Sequence, residues 1–134
     1  MKKTPFTIQF FIALSVLLSG SINALASSLV IEVPDDPEPT TQTVSYQCNM
    51  GTSKEHVEAT YYNAGNISLV DFKWKDKRIV GSNVIAASGA KYVSGQYIWW
   101  TKRDEATLYD LIDDPKEEKP IHCVEEKVEE KSTE

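Results

Sequence analysis

Hydrophobic and polar residues alternate along the middle of the chain with the period of two that is typical of β-strands. In VSYQC, Val44, Tyr46 and Cys48 fall on one face, and Ser45 and Gln47 fall on the other. Further runs rich in β-branched and aromatic residues are HVEATYY, ISLVDFKW, RIV, VIAA, KYV, QYIWWTK, EATLYDL and IHCVE. Turn signals separate several of them, among them NAG, KDK, GSN and the pair Ser94-Gly95.

This spacing predicts about eight short antiparallel strands in an all-β fold. A closed barrel is favoured over an open sandwich, because so short a chain has few ways to protect two sheet edges. The interior of an eight-stranded barrel is just filled by side chains, so a roomy ligand pocket is not expected. We therefore predict a small eight-stranded antiparallel β-barrel over residues 44–124.

The beginning of the chain has the pattern of a signal peptide over residues 1–26. Lys2 and Lys3 precede an apolar run from residue 10 to 18, and ALA ends at Ala26. The run is shorter than the roughly 20 residues that cross a bilayer. Ser27 follows where a lipid-bearing cysteine would be needed, so we expect a periplasmic protein without a membrane anchor.

The chain is acidic, with 20 Asp and Glu against 14 Lys and Arg and a net charge of −6. Loss of two lysines with the signal peptide would change −6 to −8. This sign disfavours nucleic acid and anionic membrane surfaces and favours a basic protein partner. Residues 27–43 form an acidic, proline-containing segment that predicts a flexible arm, and residues 125–134 form a charged tail.

Two cysteines, Cys48 and Cys123, predict a disulfide in an exported protein. The loop that they close covers nearly all of the predicted barrel. A metal site is disfavoured, because His56 and His122 are the only histidines and lack zinc-ligand spacing. We expect no metal and no cofactor.

The chain offers little catalytic equipment. Neither histidine lies near a G-x-S-x-G pattern, both cysteines are assigned to a disulfide, and no glycine-rich phosphate loop is present. A carboxylate pair acting on cell-wall sugar stays open, since acidic residues are abundant, but their runs are typical of solvated turns. We therefore predict a binding protein and not an enzyme.

The segment from Ser88 to Lys102 concentrates small, aromatic and cationic residues. SGA predicts a loop of little bulk in which Gly89 takes positive φ and Ser88 offers a hydroxyl. Lys102 ends the strand that follows the turn at Ser94-Gly95. Ser88 and Lys102 would therefore lie near each other if the barrel brings the loop and this strand end to one rim. Trp99 and Trp100 must point to opposite faces, one of them to the core.

These residues resemble the C-type lysozyme inhibitors of Gram-negative bacteria. The S-G-x-x-Y motif of that family is present from Ser88 to Tyr92, and its Y-x7-W-x-K-G motif runs on through Trp100 and Lys102, with Arg103 in place of the glycine. The resemblance covers about residues 46–123 and is closer to the periplasmic than to the membrane-bound form.

The resemblance implies that the barrel inhibits a C-type lysozyme, a basic host protein, by inserting a loop into its active-site cleft. Ser88 and Lys102 would contact the two catalytic carboxylates, and Gly89, Ala90 and Arg103 would complete the contact. Tyr92 and Trp100 would support the loop. The alternative is a periplasmic barrel that binds a glycan or a small apolar ligand through exposed aromatic residues.

Overall fold

The computed structural model describes residues 27–32 and 38–127. The predicted signal peptide, part of the predicted arm and most of the predicted charged tail lie outside these ranges. Residues 27–32 form neither helix nor strand. Within the described ranges, no helix has the length and hydropathy that crossing a membrane requires.

The described residues form a closed barrel of eight antiparallel strands in which each strand pairs with its neighbour in sequence and β8 pairs back with β1. This confirms the predicted fold. The strands are β1 (Thr40–Asn49), β2 (Lys54–Ala64), β3 (Ile67–Trp74), β4 (Lys77–Val84), β5 (Ala90–Ser94), β6 (Tyr97–Lys102), β7 (Glu105–Asp110) and β8 (Ile121–Glu125). The first strand begins at Thr40, whereas the sequence placed the start of the barrel at Val44.

Two local predictions are wrong in the region of β4. GSN does not end a strand, because Gly81 lies within β4, where an added Cβ would come within 3.2 Å of both Tyr92 and Val70. The glycine therefore serves close packing and not a turn. VIAA does not form a strand of its own: Val84 is the last residue of β4, and residues 85–89 form a loop.

Inward-pointing aromatic side chains fill the barrel. The indole of Trp99 lies edge-on to Tyr46 and tilted against Phe72, with ring centroids 5.3 and 4.8 Å away. Its Nε1 donates a hydrogen bond to the hydroxyl of Tyr61 at 2.9 Å, and that hydroxyl also pairs with Tyr46. Burial raises the pKa of the Tyr61 phenol well above its usual range, so this network stays neutral.

A disulfide joins the two strands that close the barrel. Cys48 of β1 and Cys123 of β8 are directly paired in the ladder, and both are buried. This confirms the predicted pairing. The bond crosslinks residues 75 positions apart, so it restrains nearly the whole barrel.

Because the strands alternate in direction, the connections lie at two opposite ends of the barrel. We call the end formed by the turn at residues 65–66, the loop at 85–89 and the turn at 103–104 the rim. The opposite end carries the loop at residues 50–53, the turns at 75–76 and 95–96, and the loop at 111–120.

Candidate functional site

The loop that carries Ser88 lies against the end of β6 at the rim. The strand register pairs Ala90 with Thr101, one residue before Lys102. The indole Nε1 of Trp100 donates a hydrogen bond of 2.8 Å to the backbone oxygen of Ser88. The structure therefore brings the loop of Ser88 and the strand end of Lys102 to the same rim, with both residues exposed.

Gly89 allows the backbone of this loop to touch β6. Its φ is +68°, in the left-handed region that the sequence predicted for it. An added Cβ would lie 2.2 Å from the backbone oxygen of Thr101. No side chain fits there without moving the loop, so a glycine is required by both conformation and space.

Lys102 and Arg103 place two cations next to this loop. Lys102 ends β6 and pairs in the ladder with Glu105, and Arg103 is the first residue of the turn to β7. Both are exposed, and neither forms an ion pair with a residue that the structure describes. Their charges are therefore available to an anionic partner group.

The turn after Lys102 has an unusual backbone. Arg103 has a φ of 57°, in the left-handed region. This backbone conformation costs a residue other than glycine about 1–2 kcal/mol. This is the position at which the motif of the resembling family has glycine. The hairpin still forms, with Lys102 paired to Glu105.

Trp100 lies on the outside of the barrel, and its indole contacts the loop that carries Ser88. Trp99 is 1% exposed in the core, and Trp100 is half-buried outside, as the alternation predicted. The ammonium of Lys91 lies 4.9 Å from the ring centroid of Trp100, close enough for a cation–π contact. The indole is thus held by Lys91 while its N–H holds the backbone of Ser88.

Tyr92 points the other way, into the core. It is 5% exposed, its ring centroid lies 5.7 Å from that of Tyr61, and its hydroxyl is 3.3 Å from the hydroxyl of Ser68. β5 begins at Ala90, directly after the loop, and Tyr92 is the third residue of this strand. The burial of Tyr92 therefore anchors the start of β5 to the core. It can support the rim without contacting a partner.

The described residues offer no metal-binding cluster. Within the described ranges, no three His, Cys, Asp or Glu side chains are grouped so that they could hold a metal ion. His56 lies on the outer face of β2, where its Nδ1 is 3.1 Å from Glu126. Hydrogen bonds from His56 and Gln47 lower the pKa of Glu126. These bonds connect the residue that follows β8 to β2 and β1.

The interior of the barrel leaves little room, as predicted for eight strands. A gap lined by Phe72, Tyr97, Trp99 and their neighbours is too small to admit a water molecule. The alternative of a glycan or small apolar ligand bound through exposed aromatic residues does not depend on this gap.

Two rim residues were not identified from the sequence. Lys91 lies inside the S-G-x-x-Y motif, but its contact with Trp100 depends on the β5–β6 register, which the sequence did not give. Ile85 is fully exposed at the start of the loop. The signal for it was present, because an apolar run leads directly into Ser88.

Comparison with known proteins identifies the family. The family described as membrane-bound lysozyme-inhibitor of c-type lysozyme matches residues 46–117. A Pseudomonas aeruginosa protein named membrane-bound lysozyme inhibitor of C-type lysozyme is 46% identical over 80 residues, which are 59% of this chain and 61% of that protein. Its namesake from Cupriavidus necator is 31% identical over 103 residues, 75% of this chain and 80% of that protein.

A solved structure agrees with these relatives. The crystal structure of Pseudomonas aeruginosa MliC in complex with hen egg white lysozyme is similar with a TM-score of 0.60 and 40% identity, covering 75% of this chain and 98% of that one. Fold and matches together define a proteinaceous inhibitor built on a small closed barrel, and not an enzyme. The chain belongs to the family of membrane-bound lysozyme inhibitors of C-type lysozyme.

These names contradict the predicted location. We expected a periplasmic protein set free by a cleaved signal peptide, but the family and both relatives are named membrane-bound. The expectation of no anchor depended on one position, Ser27, where a lipid-bearing cysteine would be needed. The family indicates a membrane-associated protein instead.

Proposed function

We propose that this chain inhibits C-type lysozyme by inserting the loop of Ser88, Gly89 and Ala90, together with Lys102, into the active-site cleft of the enzyme. The observation that carries the proposal is that the loop of Ser88 and the strand end of Lys102 lie at the same rim, with both residues exposed. The complex of the similar inhibitor from Pseudomonas aeruginosa with hen egg white lysozyme supports the choice of partner.

The chemistry of the two residues suits the cleft of this enzyme. Lysozyme cleaves its substrate between one protonated and one ionised carboxyl group. The Ser88 hydroxyl can donate a hydrogen bond to a carboxylate oxygen, and the Lys102 ammonium can offset its negative charge. Gly89 and Ala90 add little bulk, so the loop can occupy the space of a sugar, and inhibition should be competitive with cell-wall substrate.

Several features of the rim favour binding without rearrangement. The loop is held by the hydrogen bond from Trp100, and Tyr92 anchors the adjoining strand in the core. Side chains and loops that are already ordered lose less entropy when they bind. The net charge of −6 also favours fast association with a basic enzyme.

Arg103 extends the cationic side of the rim. It is exposed directly after Lys102 and makes no ion pair with a described residue. We assign it a second contact with carboxylates or carbonyl oxygens of the enzyme. The guanidinium suits such acceptors because it presents several donors in one plane.

The test is an inhibition assay of the double variant Ser88→Ala/Lys102→Ala against hen egg white lysozyme. Loss of a charged contact buried in an interface costs about 2–5 kcal/mol, so we expect inhibition to weaken by about 30-fold or more. The matched control is Ser53→Ala/Lys116→Ala, which removes the same groups from exposed positions at the opposite end. Inhibition by the first variant equal to that by the control would reject the site.

A further inference from the structure

The loop between β4 and β5 begins with apolar side chains that the barrel does not bury. The ladder between these strands ends with the pair Val84 and Lys91, so Ile85 is the first residue beyond it. Ile85 is 100% exposed and Val84 is 40% exposed. Both lie at the rim, and Ile85 precedes Ser88 by three residues.

A single exposed apolar side chain is common on protein surfaces, but this one belongs to a longer pattern. From Ile79 to Ala90 the chain has no charged residue, although 25% of all residues are charged. The run VIAA has the composition of a buried strand, but its large side chains, Val84 and Ile85, are not buried in the core. Such conflicts between local sequence and fold are expected where a residue serves function.

We infer that Ile85 is an apolar anchor that packs against nonpolar side chains of C-type lysozyme beside the active-site cleft. The inference rests on the proposed function, because the same loop would bring Ser88 to the enzyme. Cores of protein interfaces are depleted in charge and enriched in apolar contact. The uncharged stretch around Ile85 has this composition, and Lys91 and Lys102 form a charged border to it.

The role of Ile85 differs from that of the two polar residues. Ser88 and Lys102 recognise carboxylates, whereas Ile85 removes apolar surface from water on both partners. Its contribution should lie in the dissociation rate and in the heat capacity change of binding, which becomes more negative as apolar surface is buried.

The experiment measures binding of the full chain to hen egg white lysozyme by titration calorimetry and by the kinetics of association and dissociation. For Ile85→Ser we expect affinity to fall by about tenfold to a hundredfold, mostly through faster dissociation. The binding heat capacity change should also become less negative. The unfolding midpoint should not change, because the side chain has no contacts to lose.

Two controls bracket this result. Ile112→Ser changes another exposed isoleucine at the opposite end of the barrel and should leave affinity unchanged. Ile85→Leu keeps the apolar surface and should bind within a few-fold of the unmodified chain. An Ile85→Ser variant that binds within twofold of the unmodified chain, or with the same heat capacity change, overturns the inference.

The double variant Ser88→Ala/Lys102→Ala separates the two proposals. If it loses inhibition while Ile85→Ser retains it, the apolar anchor is wrong and the proposed function stands. If it retains inhibition, the proposed site is wrong whatever Ile85→Ser does. Loss of binding in both variants supports a single contact surface that includes Ile85.

Discussion

Replacing Arg103 with glycine should change stability and inhibition in opposite directions. Arg103 has a φ of 57° in the turn after β6, and its side chain is exposed. Glycine adopts this conformation without steric cost, but it removes the guanidinium from the rim. The same substitution should therefore relieve the backbone strain at residue 103 and weaken binding at the proposed site.

The size of each effect follows from the turn and the exposed side chain. The left-handed conformation costs arginine about 1–2 kcal/mol, and the greater freedom of glycine in the unfolded chain returns about 0.5–1 kcal/mol of this. We expect a net stabilisation of about 0.5–1 kcal/mol, which raises Tm by about 2–8 °C for a domain of this size. Loss of one partly exposed charge contact should cost about 1 kcal/mol of binding, or about a fivefold rise in the inhibition constant.

The assay combines thermal unfolding with inhibition of hen egg white lysozyme. Lys75→Gly is a matched control, because Lys75 is also an exposed cation with positive φ, 46°, but lies at the opposite end of the barrel. It should stabilise the fold and leave inhibition unchanged. A decrease in Tm for Arg103→Gly would refute the account of the strained turn, and inhibition equal to that of Lys75→Gly would remove Arg103 from the binding surface.

Two further predictions concern the seam between β1 and β8. Replacing Cys48 and Cys123 with alanine should lower the free energy of unfolding by about 4–5 kcal/mol in the chain-entropy model for a loop of this length, measured by urea denaturation; a loss below about 1 kcal/mol would contradict it. Hydrogen bonds from His56 and Gln47 lower the pKa of Glu126 below its ordinary value of 4.5, so the stability they give is present above pH 4.5 and lost as the pH falls through the lowered pKa. Glu126→Gln should reduce this acid dependence in denaturation curves measured between pH 3 and pH 6, and curves parallel to those of the unmodified chain would reject the assignment.

The strands with one buried face could be predicted from the sequence, because their alternation reports burial directly. Tyr46 and Cys48 are both in the core, and Trp99 and Trp100 divide between the two faces as predicted. The prediction failed where a residue type had a second use. Gly81 looked like a turn residue, but it lies in a strand that packs closely against its neighbours.

The candidate site could be predicted only in part, because it depends on the register between strands. The turn was predicted at Ser94-Gly95, which would have paired Lys91 with Ile98. In the structure, the turn is at residues 95–96, and Lys91 pairs with Trp100. A small shift in a hairpin turn thus changes every cross-strand pair, and a sequence pattern alone does not fix it.

Periodicity alone did not suggest that Ser88 and Lys102 act together, and that expectation came from the family resemblance. In the structure, their proximity depends on interior packing: Tyr92 and Trp99 are directly paired across β5 and β6, and both are buried. That pair joins β5 and β6 near the rim. Core packing therefore restrains the loop of Ser88 and the strand end at Lys102. In the proposed mode of binding, loosening of this pair should therefore weaken inhibition, because it would add the entropy cost of ordering the rim to each binding event.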